Sequence, residues 1–319
     1  MRAGRVVTTA VVLAALAVAA FLPNHLNGNY VHILTLFFTM AILAQAWNFI
    51  GGFAGYVSFG NVTFFGTGAY ACAYAMNEFH WPFFVALAFA ILVGGALALV
   101  VGAPILRLRG HYFAIATLGL GIGTQALVAQ VPAFGQGSGM TLPLNSDFHF
   151  FYWTMLAILA AGIIVTYLVA NSRFGFALAA IRENEEAAAA LGINTAVAKV
   201  AAWGVSGALT GAAGATFAYW TSFIDPSTVF DLNFNVQMII MTIIGGAGTV
   251  AGPTIGAAIL YTISEYLGSQ SISPWHAVAL GAIIVFVVIV LPRGIMPYLT
   301  GRRMWNARAI GDQLRASRI

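Results

Sequence analysis

The chain has 319 residues, of which 61% are hydrophobic and only 7% are charged. A soluble globular domain carries about 25% charged residues, so lipid rather than water must cover most of this surface. The net charge of +4 does not indicate nucleic-acid binding, because the basic residues lie at the ends of apolar runs and form no patch with interleaved aromatic residues. The composition therefore predicts a membrane protein with no nucleic-acid partner.

Apolar runs of about 20 residues, the length that crosses a bilayer as a helix, recur along the chain. Ten are predicted as transmembrane helices: 6–22, 31–50, 56–77, 83–106, 111–131, 150–170, 199–222, 234–250, 253–268 and 275–292. Because backbone groups cannot stay unpaired in hydrocarbon, the expected fold class is all-α, a polytopic transmembrane helical bundle forming a single domain over 1–319. The first run, with a basic start and an A-x-A triplet at 15–17, also fits a cleaved signal peptide.

Lysine and arginine fall on one side of this topology. With the N-terminus inside and ten crossings, all 13 basic residues face inward, and both termini are cytoplasmic. The inner side receives the 171–198 segment and a basic tail, 293–319, which we expect to lie on the inner lipid surface. The outer loops carry only acidic charge, at Glu78, Asp147, Asp225 and Asp231. The three aspartates are candidate docking residues for an external protein, since loop charges steer a partner.

Catalytic and metal-binding patterns are missing from the sequence. The one lysine, Lys199, follows Ala198, so no G-x-x-x-x-G-K-[ST] phosphate loop exists. The six histidines are scattered without ligand spacing, no G-x-S-x-G elbow occurs, and the lone Cys72 is expected to pack in the core. We therefore predict a protein that is not an enzyme and needs no cofactor or metal.

Polar residues cluster beside two glycine blocks, 51–55 and 245–248, which each follow an outside-to-inside span and form a weak internal echo. The candidates for lining a substrate path are Gln45, Asn48, Ser58, Asn61, Thr63, Gln237 and Thr242. Glycines let backbone groups face a cavity, which favours this interpretation. Hydrogen bonding between helices is the alternative. Glu265 fits either an interfacial position or a place in the path.

The 171–198 segment is predicted to hold a cytoplasmic helix from Phe176 to Leu191, because it is rich in Ala, Leu and Glu and is followed by a glycine stop. A solvated linker helix is the plain interpretation. Glu186-Ala187-Ala188, three residues, then Gly192 resembles the EAA-x-x-x-G loop of ABC importer permeases, without the Ile-x-Leu-Pro part of the longer motif. In that family the helix docks in the ATPase and transmits its closure. The resemblance implies ATPase coupling by Arg182, Glu183, Glu185, Glu186, Ala187 and Gly192.

Blocks spread over roughly residues 45 to 270 resemble the branched-chain amino acid permeases of the LivM type. They are 51–60, 64–70, 106–114, 180–185, 191–194 and 244–253. Asn61 departs from the family pattern, in which His or Gln is usual. The resemblance implies a complex in the bacterial inner membrane: a second permease subunit forming a heterodimer, two cytoplasmic ATPases and an external substrate-binding protein.

The expected function is therefore the permease subunit of an ATP-driven importer for branched-chain or related amino acids. A permease of the same class for urea, short amides or another small solute is the alternative. An ion-coupled secondary transporter is a different class. It would normally keep several charged residues in the middle of the membrane, and only Glu265 is available.

Overall fold

The computed structural model describes residues 19–21, 23, 27–269, 281 and 294–296. The predicted spans 6–22 and 275–292 and the basic tail 293–319 therefore lie almost entirely outside the described residues. The helices are numbered in chain order: α1 (Gly28–Trp47), α2 (Asn61–Glu78), α3 (Phe83–Ile105), α4 (His111–Val128), α5 (Phe148–Ala170), α6 (Arg173–Glu183), α7 (Glu185–Ala190), α8 (Thr195–Thr221), α9 (Pro226–Val229), α10 (Leu232–Gly245) and α11 (Gly252–Ser269).

Eight of these helices coincide with the eight predicted spans between 31 and 268, which confirms that hydropathy located them correctly. The two largest boundary errors are five residues each. The span 56–77 begins as a helix only at Asn61, and the span 234–250 ends as a helix at Gly245. The glycine-rich stretches before Asn61 and after Gly245 are irregular, with positive φ at Gly55, Gly246 and Gly248. Glycine adopts positive φ without steric cost, so the chain turns at these residues instead of continuing as a helix.

Five segments of the described chain have the length and hydropathy needed to cross a membrane. They are Gly28–Phe53, Phe83–Ile105, His111–Val128, Phe148–Ala170 and Pro226–Gly245. The first is α1 continued by a π-helical turn, Asn48–Phe53. This composition of long apolar helices is that of a polytopic helical membrane protein.

The centre of the bundle is α8, which packs most extensively against α3 and α2 and also touches α1 and α5. Glycines bring these backbones together. A Cβ added to Gly94 of α3 would lie 2.6 Å from the carbonyl oxygen of Gly207 in α8, and one added to Gly68 of α2 would overlap the backbone of Gly211. Small residues at such contacts let helices approach closely enough for direct van der Waals packing in lipid.

The loops gather at two opposite ends of the bundle. At one end, β1 (Met140–Thr141) pairs antiparallel with β2 (Phe223–Ile224), and Asn77 donates a hydrogen bond to the carbonyl of Thr141. At the other end, the 171–198 segment contacts the loop after α1 and the loop before α4. The predicted outer loops and the predicted inner loops are therefore separated in space.

A labelling experiment tests which end faces the cytoplasm. We expect a cysteine at Ser138 to react with an impermeant maleimide from outside, and one at Ala190 to react only from inside, because positive charge stays inside. Both positions are exposed. The background carries Cys72→Ala, since Cys72 is the chain's one cysteine. Reaction of both sites from the same side would contradict the predicted topology.

Candidate functional site

The 171–198 segment contains two helices rather than the single helix predicted from Phe176 to Leu191. The prediction is wrong at Asn184, which has extended backbone angles and divides α6 from α7. Its side-chain oxygen accepts a hydrogen bond from the amide of Ala187 at 3.0 Å, so it caps the second helix. Asparagine is a preferred N-cap, and its side chain competes with helix continuation. The predicted stop is confirmed, since Gly192 has φ +86° just beyond α7.

Glu185, at the start of α7, points into the bundle and joins a buried ionic network. Its carboxylate accepts a hydrogen bond from Lys199 Nζ at 2.6 Å and a second one from the Tyr56 hydroxyl. Lys199 also donates to the carbonyl of Leu106 at 2.9 Å. The side chains of Glu185 and Lys199 are only 14% and 4% exposed. Burial acts to raise the pKa of Glu185, but the hydrogen bonds from Lys199 and Tyr56 outweigh it and hold that pKa below its usual value.

Glu186, the next residue, points outward. Its side chain is 79% exposed and pairs with Arg109 in the loop before α4, at 2.9 Å. Glu183 and Ala187 are also exposed, whereas Ala188 is buried against the bundle. The predicted coupling residues thus divide into an inward set and an outward set. The outward set is available to a partner on this face.

Arg182, in the last turn of α6, is exposed, yet its guanidinium group reaches back to the bundle. Its Nη1 atom donates to the carbonyl oxygen of Gly52 at 2.7 Å and to that of Ala247 at 3.3 Å. These acceptors lie in the two different glycine blocks. The side chain thus contacts the turn after α1 and the turn after α10.

Three of the predicted path residues make hydrogen bonds between α1 or its π-helical turn and the region of α10 and the loop after it. The Gln45 amide donates to the Val250 carbonyl at 2.8 Å, and Asn48 donates to the Thr249 carbonyl at 2.9 Å. Thr242 donates to the carbonyl of Ala44 at 3.0 Å. All three side chains are fully buried. This geometry favours a packing role for them, holding α1 against α10 and the loop after it, while lining of a substrate path stays a prediction.

The remaining path candidates differ in whether their polar side-chain atoms have hydrogen-bond partners. The Ser58 hydroxyl accepts from the amide of Gly60, and Gln237 is half-buried on α10. Asn61 donates to the Ser206 hydroxyl at 2.8 Å, but its Oδ1 atom and the hydroxyl of Thr63 are buried without a hydrogen-bond partner. Buried polar atoms normally find a partner, so these two atoms leave hydrogen-bonding capacity unused at the start of α2, while lining of a substrate path stays a prediction.

The three predicted docking aspartates are all helix N-caps. Asp147 accepts hydrogen bonds from the first amides of α5, Asp225 from those of α9, and Asp231 from that of Asn233 in α10. Burial acts to raise the pKa of Asp225, but hydrogen bonds from Ser227 and Thr228 outweigh it, so this pKa lies below its usual value. Helix capping is enough to explain why these three aspartates stand where they do, and their docking role stays a prediction.

Sequence reasoning missed three residues of the site. Tyr56 and Lys199 complete the network around Glu185, and fully buried Asn235 accepts from the Val62 amide at 3.1 Å while donating to the Phe59 carbonyl. A single lysine at the start of an apolar run was a usable signal, since a charge at that depth needs a partner. The identity of that partner requires the fold.

The chain is similar in sequence to a known family and to several known proteins. The family model described as "Branched-chain amino acid transport system / permease component" matches residues 29–289. The chain is 27% identical to the LivM permease protein of the Escherichia coli K12 high-affinity branched-chain amino acid transport system, over 94% of this chain and 78% of the relative. It is 31% identical to the LivH permease protein of the same bacterium, over 45% of this chain and 44% of the relative.

A further relative transports a different compound. The chain is 26% identical to the autoinducer 2 import system permease protein LsrC of Yersinia pseudotuberculosis, over 63% of this chain and 60% of the relative. All three relatives are permease proteins, so the chain is a transport subunit rather than an enzyme. Since the family model matches most of its length, the chain belongs to the family of permease components of branched-chain amino acid transport systems.

Proposed function

We propose that this chain is the transmembrane permease subunit of an ATP-driven importer that moves branched-chain or related amino acids across a bacterial inner membrane. The observation that carries the proposal is the exposed α7 helix with its E-A-A-x-x-x-G pattern, in a chain of this permease family. Its partners would be a second permease subunit, two cytoplasmic ATPases and an external binding protein. The names LivM and LivH, two permease proteins of one kind of system, support a heteromeric pair.

The geometry of α7 suits contact with an ATPase. Glu186 and Ala187 are exposed on it, and small alanine side chains permit close approach of another surface. Asn184 and Gly192 bound the helix tightly at its two ends. Glu185 fixes it to the bundle through a buried ion pair, so a force applied to α7 reaches the underlying helices.

The burial pattern favours this class over an ion-coupled transporter. Among the buried polar residues of the described chain, Lys199 alone is charged, and it is paired with Glu185. Glu265 is exposed near the end of α11. Secondary transporters keep unpaired charges near the midplane for coupling. A neutral path suits an importer whose external protein supplies the affinity for the solute.

A neutral path is compatible with more than one small solute. Urea, short amides and other small solutes fit the same neutral path, and the LsrC relative imports a different compound again. We expect the cognate binding protein to bind leucine, isoleucine or valine. Calorimetric titration of that protein with amino acids and with urea would separate the candidates.

Two substitutions test the coupling role. Glu186→Lys reverses an exposed charge that pairs with Arg109, and Gly192→Val places a branched side chain at φ +86°, at a cost of about 1–2 kcal/mol. We expect both variants to lose substrate-stimulated ATP hydrolysis in proteoliposomes that hold the whole complex. Both should still insert and fold, because neither residue lies in a predicted span. Normal transport with full retention of the ATPases would reduce α7 to a linker.

The aspartate caps allow docking to be separated from folding. Asparagine caps a helix about as well as aspartate, whereas alanine costs about 1 kcal/mol at each cap. We expect replacement of Asp147, Asp225 and Asp231 by Asn to slow association of the binding protein at low salt while leaving thermal stability unchanged. The triple alanine variant should also lose stability. Equal association rates for wild type and the asparagine variant would leave these residues as caps only.

A further inference from the structure

The two glycine blocks form one contact at the inner end of the bundle, which we call the glycine junction. It consists of residues 51–55 and 245–248. A Cβ added to Gly52 would lie 2.6 Å from the Gly248 amide nitrogen, and one added to Gly248 would lie 2.9 Å from the Gly52 carbonyl oxygen. Asn48 joins the blocks from within, accepting from the Gly248 amide at 2.8 Å. The weak echo seen in the sequence is therefore a physical contact between the two turns.

Arg182 joins the same two blocks from the side of the 171–198 segment. One guanidinium nitrogen donates to the carbonyls of Gly52 and Ala247, and hydrogen bonds from a charged donor are stronger than neutral ones. The glycines also provide space for this side chain. A Cβ on Gly55 would lie 2.9 Å from Arg182 Cγ, and one on Gly248 would lie 2.7 Å from its Nη1.

The junction is placed where movement would matter for transport. Block 51–55 ends the segment Gly28–Phe53, and block 245–248 follows α10 directly. Arg182 is separated only by Glu183 and Asn184 from α7, the helix that we assign to the ATPase contact. Displacement of the segment therefore acts on two inner helix ends through one side chain.

We propose that Arg182 is a positioning residue that transmits movement of the 171–198 segment to the glycine junction, rather than a contact residue for the ATPase. This rests on the proposed function, because it needs an ATPase to move the segment. The junction is the inner gate element in this scheme. Its two halves are held together when Arg182 bridges them and are free to separate when the segment withdraws.

The experiment uses the complete complex in proteoliposomes, with Cys72→Ala as background and Ala247→Cys as a reporter. We measure the maleimide labelling rate of residue 247 without nucleotide and after ATP with vanadate, together with transport and retention of the ATPases. The variants are Arg182→Gln, Arg182→Lys and the matched control Arg173→Gln, an exposed arginine at the start of the same helix.

We expect nucleotide to change the labelling rate in the parent and in Arg173→Gln. In Arg182→Gln that change should disappear and transport should fall about tenfold or more, as for loss of a charged hydrogen bond. Arg182→Lys should recover part of the labelling change and part of the transport. The ATPases should stay bound to both Arg182 variants. Nucleotide-dependent labelling that persists in Arg182→Gln overturns the proposal, as does loss of the ATPases from it, which would make Arg182 a partner contact. A parent that binds no ATPase would instead refute the proposed function.

Discussion

Lys199→Met should lower the free energy of unfolding by about 3–5 kcal/mol, the usual cost of removing one partner from a buried ion pair. The variant leaves the largely buried Glu185 carboxylate with the longer contact to Arg109, at 3.8 Å, and removes the donor to the Leu106 carbonyl. Because the folded-state pKa of Glu185 is lowered, the network stabilises the fold at neutral pH, and this contribution is lost as pH falls through that folded pKa. Thermal unfolding in detergent across a pH series measures both effects.

A second substitution isolates the ion pair. Adding Glu185→Gln to Lys199→Met should recover part of the lost stability, because no charge then remains buried alone. Glu186→Gln is the matched control, since Glu186 is mostly exposed and its pair with Arg109 should contribute little. A single Lys199→Met variant as stable as wild type would mean that the network does not hold α7 to the bundle.

Gly68→Val is the second substitution with a large expected effect, a loss of about 3 kcal/mol from overpacking. The three atoms nearest to an added Cβ are all backbone atoms of Gly211, which cannot rotate away as a side chain can. Helices α2 and α8 would have to move apart. We expect early aggregation on heating and a lower unfolding temperature in detergent.

The control for this prediction is Gly119→Val in α4. A Cβ at Gly119 meets no atom within 4 Å, so this variant adds the same side chain to open space. It should unfold at the wild-type temperature. Equal losses for the two variants would show that valine itself, and not the contact with Gly211, weakens these helices.

Hydropathy was sufficient to locate the long helices, because a helix covered by lipid needs a long run of apolar residues. The boundaries at Asn61 and Gly245 were less predictable, since glycine is common inside membrane helices as well as at their ends. The break at Asn184 had a local signal, an N-cap residue followed by two glutamates, that was outweighed by the helical composition around it.

The candidate site was predictable only in part. The pattern from Glu186 to Gly192 is local in sequence, so it could be recognised without a fold. The contacts of Arg182 with Gly52 and of Glu185 with Tyr56 could not be recognised in this way, because each pair is more than 100 residues apart along the chain. The aspartate caps could have been recognised, since each precedes a helix directly.

The glycine contacts of α8 have a consequence for mobility. Where α2, α3 and α8 meet through Gly68, Gly94, Gly207 and Gly211, no layer of side chains lies between the backbones. Sliding would force carbonyl oxygens past Cα atoms, whereas a layer of side chains can change rotamers. We therefore expect these three helices to travel as one rigid slab during the transport cycle. Hinge motion should concentrate where helices meet through side chains.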